Sequence, residues 1–412
     1  QAVKVEGTWG SFARLLAAYI SDKLKKPILY ICPHIDDADK TADDLHTFGA
    51  ERIEPLPAWE GEEDLADATD EIRAERLRVV LKLLSQRDSR FRGNDIKKYG
   101  MTDRGRDKFI IPASIQALCQ PIPKPQAVQE SSLCLQINKT IPPEKIVAWL
   151  VDNGFERVER IDLPGQFARR GGIIDIYAPL ALKTQDSRPK TQGWSLESGV
   201  GGLESEAEAV RVEFFGDTIE SIRQIDLDTQ RSCQQIESIG IVSAVYGADE
   251  GQSELFVNIL PEDTVIILEE PADIEEVARV FLERLENTTR LYSWTDIYAA
   301  IERFTQLHLC RFATSGAGDF LKADIKSVQQ FQHKAASLWE GSKDALLQLA
   351  GRAKQGEMVC LYCESPAEIK RVTEILKQSY QKLPANFKLL LGFIHQGFIV
   401  NSLNTIIISH HE

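Results

Sequence analysis

Apolar residues in the first third of the chain recur with two periods, one typical of helices and one of buried strands. Residues 11–25 place Phe12, Leu16 and Ile20 on one helical face, and residues 27–33 form an apolar run as long as a buried parallel strand. The same patterns predict further strands near 53–56 and 109–111, and helices at 36–47, 69–85 and from 114. Strands separated by helices of this length indicate βαβ units and a parallel sheet.

The middle of the chain changes to the two-residue period of half-buried strands. Leu133, Leu135 and Ile137 alternate, and a short amphipathic helix is predicted at 144–153. Two strands on either side of Gly216-Asp217 predict an antiparallel hairpin. Beyond it the helical and apolar runs return, with strands near 263–268, 358–363, 387–392 and 405–410 and helices near 274–285, 343–354 and 366–379.

These patterns predict an α/β protein in which a parallel-sheet domain is interrupted by a small α+β domain and followed by a small α/β domain. The predicted boundaries are 1–129 and 244–342 for the interrupted domain, 130–243 for the inserted one and 343–412 for the last. Residues 86–108 and 183–208 lack apolar periodicity, and we predict that both are solvated loop insertions that could be deleted with little effect on melting temperature.

Composition and charge narrow the possible functions. The chain has 43% hydrophobic residues, 48 basic and 62 acidic residues, and a net charge of −14, so it suits an ordinary globular protein and is a poor candidate for a general nucleic-acid surface. No apolar stretch approaches the ~20 residues of a membrane span. The seven cysteines lack a repeating spacing, which is typical of a reduced cytoplasm. Because the chain opens at Gln1, we expect it to be a piece of a longer protein.

The segment before the first helix resembles the phosphate-binding loop of a nucleoside triphosphatase. That chemistry needs glycine backbone donors, a lysine for the phosphates and a Ser or Thr for Mg²⁺. The chain supplies Gly7 and Gly10, but Ser11 stands where the lysine should be. The acidic partner site would be Glu269-Glu270, which replaces the expected Asp-Glu pair. We therefore predict a degenerate, P-loop-like site without ATP hydrolysis or a bound cofactor, and leave residual nucleotide binding open.

Two cysteines in the last third have the spacing of a zinc or redox motif. Cys360 and Cys363 lie inside an apolar run, and no second pair of ligands stands at a suitable distance along the chain. Buried strand cysteines explain the pattern better, and we predict no metal site.

Basic and aromatic residues cluster on the predicted hairpin face. Arg169, Arg170 and Arg211 lie near Phe214 and Phe215 in an otherwise acidic chain. Arginine beside an exposed aromatic is typical of interface anchors. The alternative is that both phenylalanines are core residues and the arginines are merely solvated. Since strand neighbours point to opposite faces, one phenylalanine is expected outside the core.

Several short motifs, taken together, resemble those of a known protein family. They are residues 57–60 (PAWE), 75–77 (ERL), 165–175 (GQFARRGGIID), 211–217 (RVEFFGD), 219–223 (IESIR) and 228–231 (DTQR). In combination the chain resembles the amino-terminal half of bacterial transcription-repair coupling factors, a half that is similar to the excision nuclease subunit UvrB. UvrB itself fits less well, because it keeps an intact phosphate loop and an aromatic-rich hairpin that grips DNA.

The resemblance implies a degenerate nucleotide fold, an inserted domain that recruits the damage sensor UvrA, and a small third domain. It places UvrA-binding positions on Arg170, Arg211 and Phe215, while Gln166 stands where the family usually has Glu and Arg169 is an unusual extra charge. RNA polymerase and double-stranded DNA would bind through regions absent here, and ATP and Mg²⁺ would serve a motor that this module restrains. A self-contained ATPase or helicase and a UvrB-like DNA-binding protein are the alternatives.

Overall fold

A computed structural model describes residues 2–59, 70–91, 109–124, 127, 132–183, 205–242, 253–312, 320–328, 338–380 and 382–411. Among these residues the strands form three large sheets and one short strand pair, Ile122–Pro123 with Ser253–Glu254. None of the described helices combines the length and the apolar character that a membrane span requires.

The first sheet has six parallel strands, which confirms the predicted α/β class. Their spatial order is Phe320–Lys322, Ala2–Glu6, Thr305–Cys310, Val265–Glu269, Ile28–Cys32 and Ile110–Ser114. The accompanying helices are Phe12–Leu24, Ile35–Thr47, Asp70–Phe91, Ile115–Cys119, Pro271–Glu283 and Trp294–Ile301, with a 3-10 turn at Phe256–Ile259. The strand predicted near 53–56 is reduced to two isolated bridges, from Ile53 to Ile110 and from Leu56 to Ala113.

Burial on both faces explains why the strands of this sheet read as unbroken apolar runs. All five residues of Ile28–Cys32 are buried. Leu29 and Ile31 belong to the core on one side of the sheet, and Tyr30 belongs to the core on the other. A strand covered by helices on both faces has no polar face to alternate with.

The sequence patterns did not reveal strand Thr305–Cys310. Its Gln306 and His308 are buried polar residues in the middle of the strand and hydrogen-bond each other at 2.8 Å. Gln306 also donates to the Ile301 carbonyl at 3.0 Å. Because these partners satisfy the polar groups, the strand can be buried without an apolar run that would mark it.

The second sheet contains the predicted hairpin. Its spatial order is Arg231–Gln235, Thr218–Asp226, Ser205–Phe215, Ile173–Lys183, Ser238–Val242 and Ser132–Gln136, with Gln166–Arg170 on Ile173–Lys183 and Glu156–Arg157 on Gln166–Arg170. Phe215 pairs with Thr218 across Gly216-Asp217, and Gly216 has φ +60°, as a tight turn requires. The helix Pro143–Asp152 packs on the core side through Ile146 and Leu150.

The third sheet has five strands, in the order Ile325–Ser327, Phe398–Val400, Thr405–Ser409, Met358–Cys363 and Phe387–Leu391. Its helices are Leu338–Lys354 and Pro366–Lys377, with a 3-10 turn at Asn401–Leu403. Only residues 323–324 separate the last strand of the six-stranded sheet from the first strand of this one. The chain therefore changes sheets before the predicted boundary at 343.

Helix or strand residues extend into both ranges that were predicted to be loop insertions. The helix Asp70–Phe91 runs into the first of them, and Leu182 pairs with Ser205 at the two ends of the second. The remaining residues of 86–108 and 183–208 lie outside the described ranges. Deleting 183–208 as a whole would remove strand residues that are paired, namely Lys183, Ser205, Glu206 and Glu208. The small effect of this deletion on the melting temperature stays a prediction.

Candidate functional site

The glycine loop predicted to bind phosphate connects a parallel strand to a helix. It follows strand Ala2–Glu6 and precedes helix Phe12–Leu24, at the carboxyl edge of the six-stranded sheet. Gly7 and Gly10 have φ +81° and +59°, values that favour glycine. The loop thus has the strand-to-helix position at which α/β proteins bind phosphates.

The protein's own backbone occupies this loop. The Ser11 amide donates to the Gln396 carbonyl at 2.8 Å, and the Gln396 amide donates to Ser11 Oγ at 3.1 Å. A Cβ atom on Gly10 would stand 2.6 Å from the Gly397 carbonyl oxygen, and one on Gly7 would stand 2.6 Å from that of Ala323. The glycines therefore permit close approach of another chain segment, and an amide that could bind phosphate already has an acceptor.

A buried arginine binds the first acidic residue of the predicted pair. Arg14 Nη2 lies 3.1 Å from Glu269 Oε2, and the Tyr30 hydroxyl donates to the same oxygen at 2.8 Å. Burial opposes the charge of Arg14, yet Glu269 holds the Arg14 pKa above its ordinary value; burial and Glu269 also raise the pKa of Tyr30. Glu269 thus has internal partners for its charge.

The second acidic residue binds a different arginine. Glu270 Oε1 accepts hydrogen bonds from the Arg311 backbone amide at 2.7 Å and from Arg311 Nε at 3.1 Å. Burial raises the Glu270 pKa, and the Arg311 contacts oppose this shift. Because two arginines hold the two carboxylates, the pair does not fit a Mg²⁺ site. Within the described ranges, no group of three metal-ligating side chains comes together.

Additional contacts seat residues 393–397, hereafter the 393–397 segment, on helix Ile35–Thr47. Asp44 Oδ1 accepts from the His395 amide at 2.8 Å, and Thr47 Oγ1 donates to the Phe393 carbonyl at 2.5 Å. Burial raises the Asp44 pKa, although hydrogen bonding from Ser11 and the charge of Arg14 oppose the shift. Asp44 therefore lies in an environment that disfavours its charge.

A cleft of about 560 Å³ remains beside this contact, hereafter the loop cleft. It is lined by Gly10, Arg14, Pro33, Asp37, Lys40, Glu269, Glu270, Arg311, His395, Gln396 and His411. Both acidic and basic side chains line it, and the arginines already pair with the glutamates. The loop cleft consequently lacks the unopposed positive charge that a triphosphate needs.

The three residues predicted to bind a partner lie on one face of the eight-stranded sheet. Asp175 is paired with Arg211 on one neighbouring strand and with Ala168 on the other, so these three side chains point to the same side of the sheet. Arg170 lies two residues after Ala168, and Phe215 lies four residues after Arg211. Because side chains on one strand alternate between the two sides, Arg170 and Phe215 point to that side as well. Phe214 points to the opposite side and packs against the core. Phe215 is 82% exposed, which confirms that one of the two phenylalanines lies outside the core.

The chain itself covers one end of this face. Ile161 packs with Ala168, Ala209 and Ile225 in a small apolar cluster. The other end leaves a surface of Arg170, Ile173, Arg211, Glu213 and Phe215, hereafter the outer face. The outer face combines an exposed aromatic ring with two guanidinium groups.

The arginines have different surroundings. Arg211 Nε and Nη2 donate to the two carboxylate oxygens of Asp175 at 2.7 and 2.9 Å, and Nη1 donates to Ser232 Oγ at 3.4 Å. This hydrogen bonding to Asp175 raises the Arg211 pKa. The Arg211 side chain is only 19% exposed, so it is not free at the surface. Exposed Arg170 donates to the Glu159 carbonyl at 2.7 Å.

The two departures from the family pattern have local partners. Gln166 Oε1 accepts from the Asp162 and Leu163 amides, both at 3.0 Å, and so holds the turn before its strand. Arg169 points to the other side of the sheet, where Nη2 lies 2.6 Å from Glu144 Oε1. Neither side chain belongs to the outer face.

Comparison with known proteins shows what this chain is similar to. A family model described as the UvrB interaction domain matches residues 133–188 and 200–246, which include the outer face. The chain is 27% identical over 238 residues to the transcription-repair-coupling factor of Bacillus subtilis and 28% identical over 227 residues to that of Mycobacterium bovis. The resemblance to transcription-repair-coupling factors is confirmed. These matches cover 57% and 55% of this chain, but only 16% and 15% of the two relatives.

Sequence reasoning missed several residues that form the loop cleft and the outer face. Arg14, Asp44 and Arg311 hold the loop cleft together, and Asp175 holds Arg211. Asp175 ends the 165–175 motif and was available as a signal. The other three become partners only when distant elements meet.

Proposed function

We propose that this region binds UvrA through the outer face, and that it thereby recruits the damage sensor during transcription-coupled nucleotide excision repair. One observation carries the proposal. Within residues that match the UvrB interaction domain, the exposed Phe215 shares a sheet face with Arg170 and Arg211. An exposed aromatic ring beside arginines has the composition of an interface anchor.

The energetics follow from the exposure of Phe215. Its ring contributes little to folding while it remains in water, but a partner that covers it would gain apolar burial. Truncating such an anchor to alanine costs about 2 kcal/mol of binding free energy, which is roughly thirtyfold in affinity. Phe215→Ala should therefore weaken binding of UvrA without changing the melting temperature.

The test is a titration of purified UvrA against the parent and Phe215→Ala, with melting curves run on both. Phe312→Ala is a matched control, because Phe312 is also an exposed phenylalanine, 66% exposed, but packs edge-on against Trp9 near the six-stranded sheet. The proposal fails if Phe215→Ala binds like the parent, or if both variants weaken binding equally.

We also propose that this region does not hydrolyse ATP. The Gln396 carbonyl already binds the Ser11 amide, and arginines hold both Glu269 and Glu270. Phosphate release from ATP, measured with and without DNA, should stay at the level of a buffer blank. Turnover that disappears in Glu269→Gln would contradict this proposal.

Restraint of a DNA translocase by this region, and contact of the longer protein with RNA polymerase through other regions, are the remaining parts of the proposal, and they rest on the resemblance alone. The matched relatives are named transcription-repair-coupling factors, and the matched part of this chain spans about a sixth of their length. Restraint can be tested on a protein that carries this region together with the motor. Removing the region should raise the rate of DNA-dependent ATP hydrolysis.

A further inference from the structure

We infer that Asp175 is a positioning residue for the outer face, because it fixes the Arg211 guanidinium so that its free edge meets a planar acceptor of the partner. Such an acceptor is a carboxylate or a backbone carbonyl. The inference rests on the proposed function, since it assigns a role to a second residue of the same surface.

The hydrogen bonds of Arg211 show which of its donors remain. A guanidinium has five N–H groups in a fixed plane. Asp175 accepts from Nε and Nη2, and Ser232 accepts from Nη1, which accounts for three. One N–H on each terminal nitrogen is left among the described contacts. These two groups lie in the plane that Asp175 sets.

Asp175 is itself held firmly. It is 3% exposed and lies in the middle of the sheet, paired with Ala168 on one side and Arg211 on the other. Among the described residues, Arg211 is the one ion-pair partner recorded for it. A two-bond pair of this kind restricts both side chains to one geometry, which removes much of the entropy that a free arginine would lose on binding.

The pair also gives the two arginines of the outer face different electrostatic roles. The Asp175 carboxylate compensates the charge of Arg211, whereas Arg170 contacts a neutral carbonyl, that of Glu159. Arg170 should therefore attract an acidic partner over distance, an effect that salt screens. Arg211 should orient the partner at close range through its hydrogen bonds, and its contribution to affinity should depend only weakly on salt.

The experiment titrates UvrA against the full chain carrying Asp175→Asn, Arg211→Ala, both changes together, or Arg170→Ala, at low and high NaCl. Asp175→Asn should weaken binding about tenfold, since the neutral amide cannot hold the guanidinium by two charge-assisted bonds. The double variant should bind no more weakly than Arg211→Ala. Arg170→Ala should flatten the salt dependence of affinity, and Asp175→Asn should steepen it because Arg211 is then uncompensated.

Glu357→Gln is the matched control. Arg352 Nε and Nη2 contact the two Glu357 oxygens at 2.6 and 3.0 Å. The change therefore breaks a pair with the same two-bond pattern at the end of helix Leu338–Lys354, which is not part of the eight-stranded sheet. Binding should stay at the parent level. If Asp175→Asn does not fold, Ser232→Ala replaces it; that change removes one hydrogen bond from Arg211 and should weaken binding about threefold.

The outcomes separate the two claims. The inference is overturned if Arg211→Ala binds weakly but folded Asp175→Asn and Ser232→Ala both match the parent in affinity and in salt dependence. In that case Asp175 does not position Arg211. If Arg170→Ala, Arg211→Ala and Phe215→Ala all bind like the parent, the proposed function itself is overturned.

Discussion

The loop cleft and the outer face both contain arginines near residues that the sequence marked as functional, but they treat these groups in opposite ways. At the glycine loop and in the loop cleft beside it, Ser11, Glu269 and Glu270 are all bound by other parts of the chain. On the outer face, Phe215 is left 82% exposed. The comparison teaches that a sequence motif alone does not show whether its side chains are available: the chain's own partners occupy Ser11, Glu269 and Glu270, whereas the Phe215 ring stays in solvent.

The two regions also differ in what their arginines do for the fold. Arg14 connects helix Phe12–Leu24 to strand Val265–Glu269, and Arg211 connects neighbouring strands through Asp175. Arg170 bonds a loop carbonyl and stays exposed. Removing an arginine should therefore cost stability in proportion to the burial of the charge that it leaves behind.

The largest expected effect is on the outer face, where Arg211→Ala would leave the buried Asp175 carboxylate without its counter-charge. Breaking a buried pair in this way costs about 3 kcal/mol. Phe215→Ala should change the free energy of unfolding by less than about 0.5 kcal/mol, as exposed substitutions do. Urea unfolding of both variants measures the difference.

If Arg211→Ala and Phe215→Ala are equally stable, Asp175 must find solvent or another partner, and the contrast between the two side chains is lost. The double variant Asp175→Asn, Arg211→Ala should be more stable than Arg211→Ala alone, because the unpaired charge is gone.

A second prediction tests whether the 393–397 segment packs against the glycine loop. Gly10→Ala should cost about 2 kcal/mol or more, since positive φ alone costs roughly 1–2 kcal/mol in a residue with a side chain. The added Cβ would also stand 2.6 Å from the Gly397 oxygen and 2.8 Å from the Gln396 oxygen. Urea unfolding provides the measurement.

Gly49→Ala separates the two causes. Gly49 has φ +82°, but no atom lies within 4 Å of the position that an added Cβ would take. It should therefore show the cost of φ without the clash. Equal losses in the two variants would mean that the segment moves away from Gly10 at little cost.

The smallest effect concerns Asp44, whose raised pKa means that the folded protein disfavours its charge. This penalty is fully present above the folded pKa and disappears as the pH falls below the ordinary value of 3.8. Asp44→Asn has no such penalty. The parent should therefore gain stability relative to Asp44→Asn as the pH is lowered from neutral.

Urea midpoints of the two proteins at neutral and acidic pH measure this change, and Asp36→Asn controls for the loss of a negative charge on an exposed part of the same helix. A difference in midpoint between the parent and Asp44→Asn that stays constant, or that moves in favour of Asp44→Asn at low pH, would contradict the prediction.

Local sequence patterns were sufficient to predict several features of the fold and of the outer face. The Gly216-Asp217 turn identified the hairpin, and strand alternation separated Phe215 from Phe214 because a period of two decides which side of a sheet a residue occupies. The apolar run at Ile28–Cys32 likewise identified a strand buried on both faces.

Other features depend on contacts between distant residues. Ser11 meets Gln396, which is 385 positions away, and no local period records that contact. The pairing of Arg211 with Asp175 depends on the register between two strands, and a shift of one residue would send them to opposite faces. Strand Thr305–Cys310 was not predicted because Gln306 and His308 interrupt its apolar pattern, and they can be buried because their side chains hydrogen-bond each other.

The connection at residues 323–324 has a mechanical consequence. The Ala323 amide bonds to the Glu6 carbonyl at 2.8 Å, and the Asn401 amide bonds to the Asp324 carbonyl at 3.0 Å, so each linking residue is tied to one of the two sheets it joins. Two residues can extend by only about 7 Å. A displacement or rotation of the five-stranded sheet is therefore transmitted directly to strand Ala2–Glu6, because the connection cannot lengthen to absorb it.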